Sequence, residues 1–290
     1  MEVELLLVPY DSAQRGVGLG AGPERLLAAG LIPALARAGH PVVGTTVLAP
    51  PPGRVAEIRT AFGLMAALAA AVRTARAAGH FPLVLAGNCN TCIGTVAGLG
   101  GGTGTAVLWF DAHGDFNTPE TTTSAFLDGM ALATLTGRCW AALARAVDGF
   151  TPVAESAAWL LGTRDLDPVE AEAISRSLVR VLPPRRIAAE LPALLAGLAP
   201  QVQRAYLHLD LDVLDPGEGQ ANEFAAAGGL SLAELRQAVG TIGRSVPIEA
   251  ATLSAYDPSY DADSRIGTAA VTLAQTIVTA AAAQGSGAPR

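Results

Sequence analysis

The sequence predicts an α/β fold, with a mostly parallel central sheet and helices on both of its faces. Three observations predict it. Strand-like and helix-like segments alternate along the chain, the β-α-β rhythm that builds parallel sheets. The strand-like segments are short unbroken apolar runs, as expected for strands buried on both faces. The composition is 50% hydrophobic but only 5% aromatic, which suits small side chains packed closely between helices and a sheet. No internal repeat and no Pro/Gly/Ser-rich linker divides the 290 residues, so 1–290 is read as one domain.

Val3 to Val8 is the first strand. Its acidic start and short apolar run do not read as a signal peptide. A helix over Gly22 to Arg37 follows, with Pro23 near its start, and then a strand over Pro41 to Leu48. After the PPPGR segment an Ala-rich helix runs through Ala78, where Gly79 is placed to stop it. Phe81 to Ala86 and Ala106 to Phe110 are the next strands. Further strands are predicted over Trp159 to Gly162, Leu178 to Leu182, Arg204 to Leu211 and Ala250 to Ala255. Between them lie helices over Val169 to Ser177, Ile187 to Leu198, Leu232 to Ile242 and Thr268 to Ala283. Two irregular stretches, Gly114 to Ala125 and Pro216 to Gly229, are the long loops expected to build a site.

Several function classes fall away on composition. The net charge is -7 and no lysine is present, which argues against nucleic acid as a partner. The charge-free stretches Phe81 to Phe110 and Ile266 to Pro289 are a glycine-interrupted segment and a Thr/Gln/Ala-rich helix, so no membrane span is expected. Cys89, Cys92 and Cys139 are too few and too odd in number for a disulfide framework, which points to a reducing cytoplasm. His40 and His80 read as loop residues without a role.

The chemistry concentrates at two strand ends. Trp109-Phe110 runs into Asp111-Ala112-His113-Gly114-Asp115, where strand alternation would put Asp111, His113 and Asp115 on one face. Leu207-His208-Leu209-Asp210-Leu211-Asp212 repeats the pattern. One D-x-D alone is more often a helix cap or a solvated turn, and Asp215-Pro216 reads as such a turn. Two clusters in one chain supply carboxylate enough for a pair of divalent ions. His208 reads as a core or supporting histidine.

These motifs resemble those of the ureohydrolases, the superfamily of arginase, agmatinase and formimidoylglutamase. Gly22-Pro23-Glu24-Arg25-Leu26 with Gly30-Leu31 is similar to the family's early helix. Asp111 to Pro119 is similar to D-A-H-x-D-x-N-T-P, Asp210 to Pro216 to D-x-D-x-L-D-P, and Asp257-Pro258 with Asp261 to the last motif. The resemblance implies a three-layer α/β/α fold and a binuclear Mn2+ centre whose bridging hydroxide attacks a guanidine carbon. It further implies a small-molecule guanidino amino acid as substrate, and a homo-oligomer. By the same resemblance Asp111 and Asp210 bridge the ions, Asp115 completes one ion and holds the nucleophile, and His113 and Asp212 complete the other. Asn117, Ser124, Asp167 and Glu170 match the residues that hold the substrate's α-amino and α-carboxylate groups.

Three departures shape the expected substrate. Gly87-Asn88-Cys89-Asn90 stands where the family has G-G-D-H, so a metal-binding histidine is replaced by Cys89 or its neighbour, and Cys89 is taken as the donor. Thiolate is a soft donor for manganese. Ser124 to Met130 matches a stretch ending in H-G-M, so a catalytic histidine becomes Asp128. Ala255 takes the place of a glutamate that grips the guanidinium, a loss of about 3–5 kcal/mol for a cationic substrate by analogy with a broken buried ion pair. The combination resembles the branch of the family that hydrolyses Nω-hydroxy-L-arginine to hydroxyurea and L-ornithine in D-cycloserine biosynthesis. The alternatives are hydrolysis of arginine or another guanidino or formimino acid, and a non-catalytic homologue that binds metal or ligand.

Overall fold

The computed structural model describes residues 1–53 and 56–285, with 284 and 285 as backbone only. The start of the predicted Ala-rich helix at Val55 and the end of the charge-free stretch at 286–289 lie outside the described residues.

The strands are β1 (Val3–Val8), β2 (Tyr10–Asp11), β3 (Gln14–Arg15), β4 (Val42–Val47), β5 (Phe81–Ala86), β6 (Thr105–Phe110), β7 (Ala158–Leu161), β8 (Arg180–Leu182), β9 (Arg204–Asp210) and β10 (Ile248–Ser254). The helices are α1 (Gly22–Ala28), α2 (Leu31–Arg37), α3 (Glu57–Ala77), α4 (Cys92–Gly98), α5 (Ala131–Leu135), α6 (Ala141–Arg145), α7 (Pro168–Ser175), α8 (Pro184–Leu198), α9 (Leu232–Ser245) and α10 (Arg265–Gly285). Eight strands form one sheet in the order β4-β1-β5-β10-β9-β6-β7-β8, and every pairing within it is parallel. β2 and β3 make a separate antiparallel hairpin.

Alternation along the strands sorts the core into two layers. Leu5 and Leu7 of β1 pack with apolar residues of α1, α2, α8, α9 and α10. Leu6 and Val8 face the other way, toward α3, α4 and α5. The result is the three-layer α/β/α arrangement. α3 and the Arg265–Ala283 part of α10 are each long and apolar enough to cross a membrane, and about half of each lies buried in the fold.

Four differences from the sequence reading have physical causes. The predicted helix over 22–37 is two helices, because Gly30 adopts a left-handed φ of 89° between them. α4 was not predicted: all seven of its residues are buried, so it shows no polar face to betray a helical period. Its glycines let it lie close on α3, since a Cβ at Gly94 would stand 2.5 Å from the Met65 carbonyl oxygen. His40 and His80 are structural rather than idle. His40 is buried with Nε2 3.1 Å from Thr279 Oγ1, and His80 pairs with Glu2 and Glu4. Both tie the start of the chain to its surroundings.

Candidate metal centre and substrate cavity

The central strands β5, β10, β9 and β6 end side by side, where parallel sheets form their ligand crevices. β5 leads to Cys89, β6 to Asp111, β9 terminates in Asp210, and β10 leads to Ala255. Glycines make the close approach of these turns feasible. A Cβ at Gly87 would sit 2.2 Å from the Tyr10 carbonyl oxygen, and Gly162, after β7, has a φ of 95°.

Two groups of donors lie with their ligand atoms within 4.8 Å of one another: Cys89, Asp111 and Asp210, and Asp111, His113 and Asp212. Asp111 belongs to both. His113 Nδ1 lies 3.3 Å from Asp111 Oδ1 and from Asp212 Oδ2, and Cys89 Sγ lies 3.2 Å from Asp210 Oδ2. Asp115 is in neither group. The strand ends at Phe110 and Asp115 adopts a left-handed φ of 48°, so a loop turn and not strand alternation carries it to the cavity wall. The carboxylates are fixed from behind. Trp109 Nε1 donates to Asp111 Oδ2 at 2.9 Å, Asp212 N to Asp210 Oδ1 at 2.8 Å, and Ala112 N to Asp212 Oδ1 at 3.2 Å. Arg164 clamps the loop that follows, donating to the carbonyls of Asp212 and Ala226 at 2.9 and 2.7 Å.

The electrostatics are those of a cation site. Burial and then neighbouring carboxylates push Asp111, Asp115 and Asp210 above the usual carboxylate range. Burial also raises Asp212, but its bond to His113 outweighs that and brings it below the ordinary value. His113 is pulled down by burial, yet Asp111 and Asp212 lift it to about 12. Burial and the surrounding acids push the Cys89 thiol well up. Asp115 Oδ2 is buried with no hydrogen-bond partner, a state that costs about 1–3 kcal/mol or more without a ligand. A divalent pair fits this donor set, with the Cys89 thiolate its one soft member: it would neutralise four crowded carboxylates, take up the bare Asp115 oxygen, and draw the proton from the thiol.

A cavity of about 290 Å³ opens over this cluster. Cys89, His113, Asp115, Asp210, Asp212, Asp128 and Ala255 line one part of it, and Asn117, Ser124, Asp167 and Glu170 also line it, so the residues singled out in the sequence share one space, with Asp111 buried behind them. Asp128 is held by Asn90 N on Oδ1 at 2.8 Å and by Asn88 Nδ2 on Oδ2 at 3.1 Å, and burial raises it to about 7. Glu170 accepts from Phe116 N at 2.8 Å and burial lifts it likewise to about 7. Asn117 Nδ2 donates to Asp167 Oδ2 at 3.3 Å. Ser124 lies on an exposed turn. Ala255 is buried in a left-handed conformation, φ 59°.

Sequence reasoning missed Asn222 and Phe224. Asn222 is 1% exposed and donates to the Ala255 carbonyl at 2.8 Å and to Asp212 Oδ2 at 3.4 Å. Phe224 stacks on Phe126 with centroids 5.9 Å apart and meets the His113 ring edge-on. Both sit in the 216–229 loop that was expected to build a site, but no spacing rule picks them out. Asp215 closes that loop by accepting from Gly217 N and Gly228 N, which is the turn role expected of it.

Fold and site together define a ureohydrolase: an all-parallel sheet whose central strands deliver buried acids to one cavity. The Arginase family profile matches residues 1–280, and the chain belongs to the arginase family, whose members are binuclear-metal hydrolases of guanidino C–N bonds. It is 29% identical to the arginase of Bacillus caldovelox over 93% of this chain and 96% of that one. The structure of that enzyme superposes with a TM-score of 0.84, covering 95% of this chain and 97% of the other. A shorter match, 35% identical over 55% of each chain, is to the N(omega)-hydroxy-L-arginine amidinohydrolase of Streptomyces lavendulae.

Proposed function

We propose that the chain hydrolyses Nω-hydroxy-L-arginine to hydroxyurea and L-ornithine, as a cytoplasmic single-domain protein that assembles as a homo-oligomer and uses two Mn2+ ions. The observation that carries this reading is the composition of the cavity. Asn117, Ser124, Asp167 and Glu170 offer an amino acid's α-groups the partners they need, while at the buried guanidine end Ala255 stands in place of the family's glutamate, leaving, among the described residues, only Asp128 and the acids of the metal cluster. A neutral hydroxyguanidine suits that end better than a guanidinium cation, whose buried charge would lack its partner. The activity of the Streptomyces lavendulae relative supports the same substrate.

Asp111, Asp210, Asp212, His113, Asp115 and Cys89 would hold the ions, which when bound acidify water to a nucleophile at neutral pH. The residues around them do the rest. Asp128, pinned by Asn88 and Asn90, accepts a hydrogen bond from the substrate's hydroxyl or amine. Phe126 and Phe224 wall the cavity with apolar surface and limit the water that enters. Arg164, through the 212–214 carbonyls, keeps the Asp212 turn from shifting.

The test is a substrate screen with added manganese, using arginine, hydroxyarginine, agmatine, guanidinobutyrate and formimidoylglutamate, and reading urea, hydroxyurea or formamide. Hydroxyurea release in preference to urea is expected. Preferential urea release from arginine overturns the substrate assignment, and protein that binds metal but turns over none of the five is a binding homologue.

A further inference from the structure

We propose that His208 and Ser254 are positioning residues that aim the Cys89 sulfur at the Asp111–Asp210 donor group. The inference rests on the reading of Cys89 as a metal ligand and goes beyond it, to what makes a cysteine serviceable there.

A hydrogen-bonded chain lies behind the sulfur, buried throughout. Ser254 Oγ is 3.3 Å from Cys89 Sγ and 3.1 Å from His208 Nε2. His208 Nδ1 is 2.9 Å from the Tyr206 hydroxyl, which donates to Thr252 Oγ1 at 2.7 Å. The direction of the chain follows from counting hydrogens. Tyr206 spends its one hydrogen on Thr252, so His208 Nδ1–H donates to Tyr206. Nε2 is then the acceptor, and the Ser254 hydrogen goes to it at 3.1 Å in preference to the Leu209 carbonyl at 3.5 Å. What Ser254 turns toward Cys89 is a lone pair. As a thiol the sulfur has one hydrogen, which Asp210 Oδ2 accepts at 3.2 Å, while Ser254 Oγ lies against the sulfur at 3.3 Å. Its one side-chain torsion is fixed with the sulfur beside the cluster.

The same block holds the other end of the donor group. His208 stacks on Trp109 with centroids 3.6 Å apart and planes 12° from parallel, and Trp109 Nε1 donates to Asp111 Oδ2. Cys89 through Ser254, and Asp111 through Trp109, are thus referred to one imidazole. None of Trp109, Tyr206, His208, Thr252 or Ser254 lines the substrate cavity, so any effect they have on the site passes through the ligands they support. Groups that orient ligands in this way are worth 10–100-fold in metal affinity.

The experiment titrates Co2+ into metal-free wild type, Cys89→Ser, Ser254→Ala, Ser254→Thr and His208→Phe. It follows the near-ultraviolet thiolate-to-cobalt absorption and, by calorimetry, the two binding events. Thermal melts of the metal-free proteins monitor folding. Wild type should show the thiolate band and Cys89→Ser should lose it. Ser254→Ala should shift the band and weaken one of the two ions by about 10–100-fold, leaving the His113-side ion unchanged. Ser254→Thr, which keeps the hydroxyl, should restore the wild-type isotherm. His208→Phe, which keeps a ring against Trp109 but has no nitrogens, should repeat the Ser254→Ala loss and stands in for it if that variant does not fold. A wild type without the band refutes Cys89 as ligand, and the positioning role with it. A wild-type band retained unshifted in both Ser254→Ala and His208→Phe, with wild-type affinity for both ions, overturns the positioning role while leaving Cys89 a ligand.

Discussion

Stripped of metal, the folded protein should lose stability as pH rises from 6 to 8. His113 carries the calculation. Burial works against its charge, but Asp111 and Asp212 lift it to about 12, whereas in the unfolded chain it titrates near ~6.5. Above that value the folded state keeps a proton that the unfolded chain releases, so stability falls with pH by about 1.4 kcal/mol per unit. Between the unfolded value and pH 8 the loss is about 2 kcal/mol, or roughly 4–8 °C in Tm for a chain of this size. Asp128 and Glu170, raised to about 7 chiefly by burial, add to the fall over the lower half of the range. Each keeps a proton that its unfolded counterpart has already lost. A divalent ion reverses the sign, because it binds neutral imidazole and ionised carboxylate and so tightens with pH. The gap in Tm between manganese-loaded and chelator-treated protein should widen from pH 6 to 8. Asp111→Asn removes one of the two carboxylates beside His113 and the donor shared by both groups. It should flatten the chelator curve and close the gap. Melting curves in EDTA and in excess manganese across this range make the comparison. A chelator-treated Tm that is flat or rises with pH, or a gap that narrows, refutes this account of the cluster.

Three exchanges probe the rebuilt guanidine end. Cys89→His should raise manganese affinity at one ion, since imidazole suits manganese better than thiolate, and shift activity toward arginine; unchanged metal content by elemental analysis together with unchanged preference would reduce Cys89 to packing. Ala255→Glu should narrow the preference for hydroxyarginine by about tenfold or more, equivalent to ~1.4 kcal/mol of regained arginine contact, as read from the ratio of kcat/KM values. Asp128→Ala should slow hydroxyarginine turnover while both ions remain bound, and intact turnover would remove Asp128 from the chemistry.

The sheet was legible because each buried strand is an unbroken apolar run: Phe81–Ala86 has all six residues buried and was bounded to the residue. What broke the reading elsewhere was loss of contrast. In α4 every residue is apolar or small and buried, so there is no face to recognise. The break at Gly30 depends on one backbone angle that a helical pattern conceals. The site divides in the same way. Asp111, His113, Asp210 and Asp212 stood out as polar residues at the ends of two apolar strands, and the structure gathers them into one buried cluster. Asp115 was expected in the cavity for the wrong reason, since a turn past the strand end brings it there. Asn222 stayed hidden because a buried amide in an Ala- and Gly-rich loop looks, in sequence, like any solvated one. The chain Tyr206–His208–Ser254–Cys89 was invisible because its members come from β9, β10 and the turn after β5, segments far apart in sequence that only the parallel pairing of these strands brings together.

The most direct test of the central claim is the ratio of kcat/KM for Nω-hydroxy-L-arginine to that for L-arginine. It is measured on manganese-reconstituted wild type, with hydroxyurea and urea quantified separately and ornithine as the common product. The account predicts a ratio well above one, with hydroxyurea and ornithine formed in equal amounts. Equal or greater efficiency on arginine would contradict it, because it would mean that a guanidinium cation is held at the Ala255 end without the glutamate that Ala255 replaces.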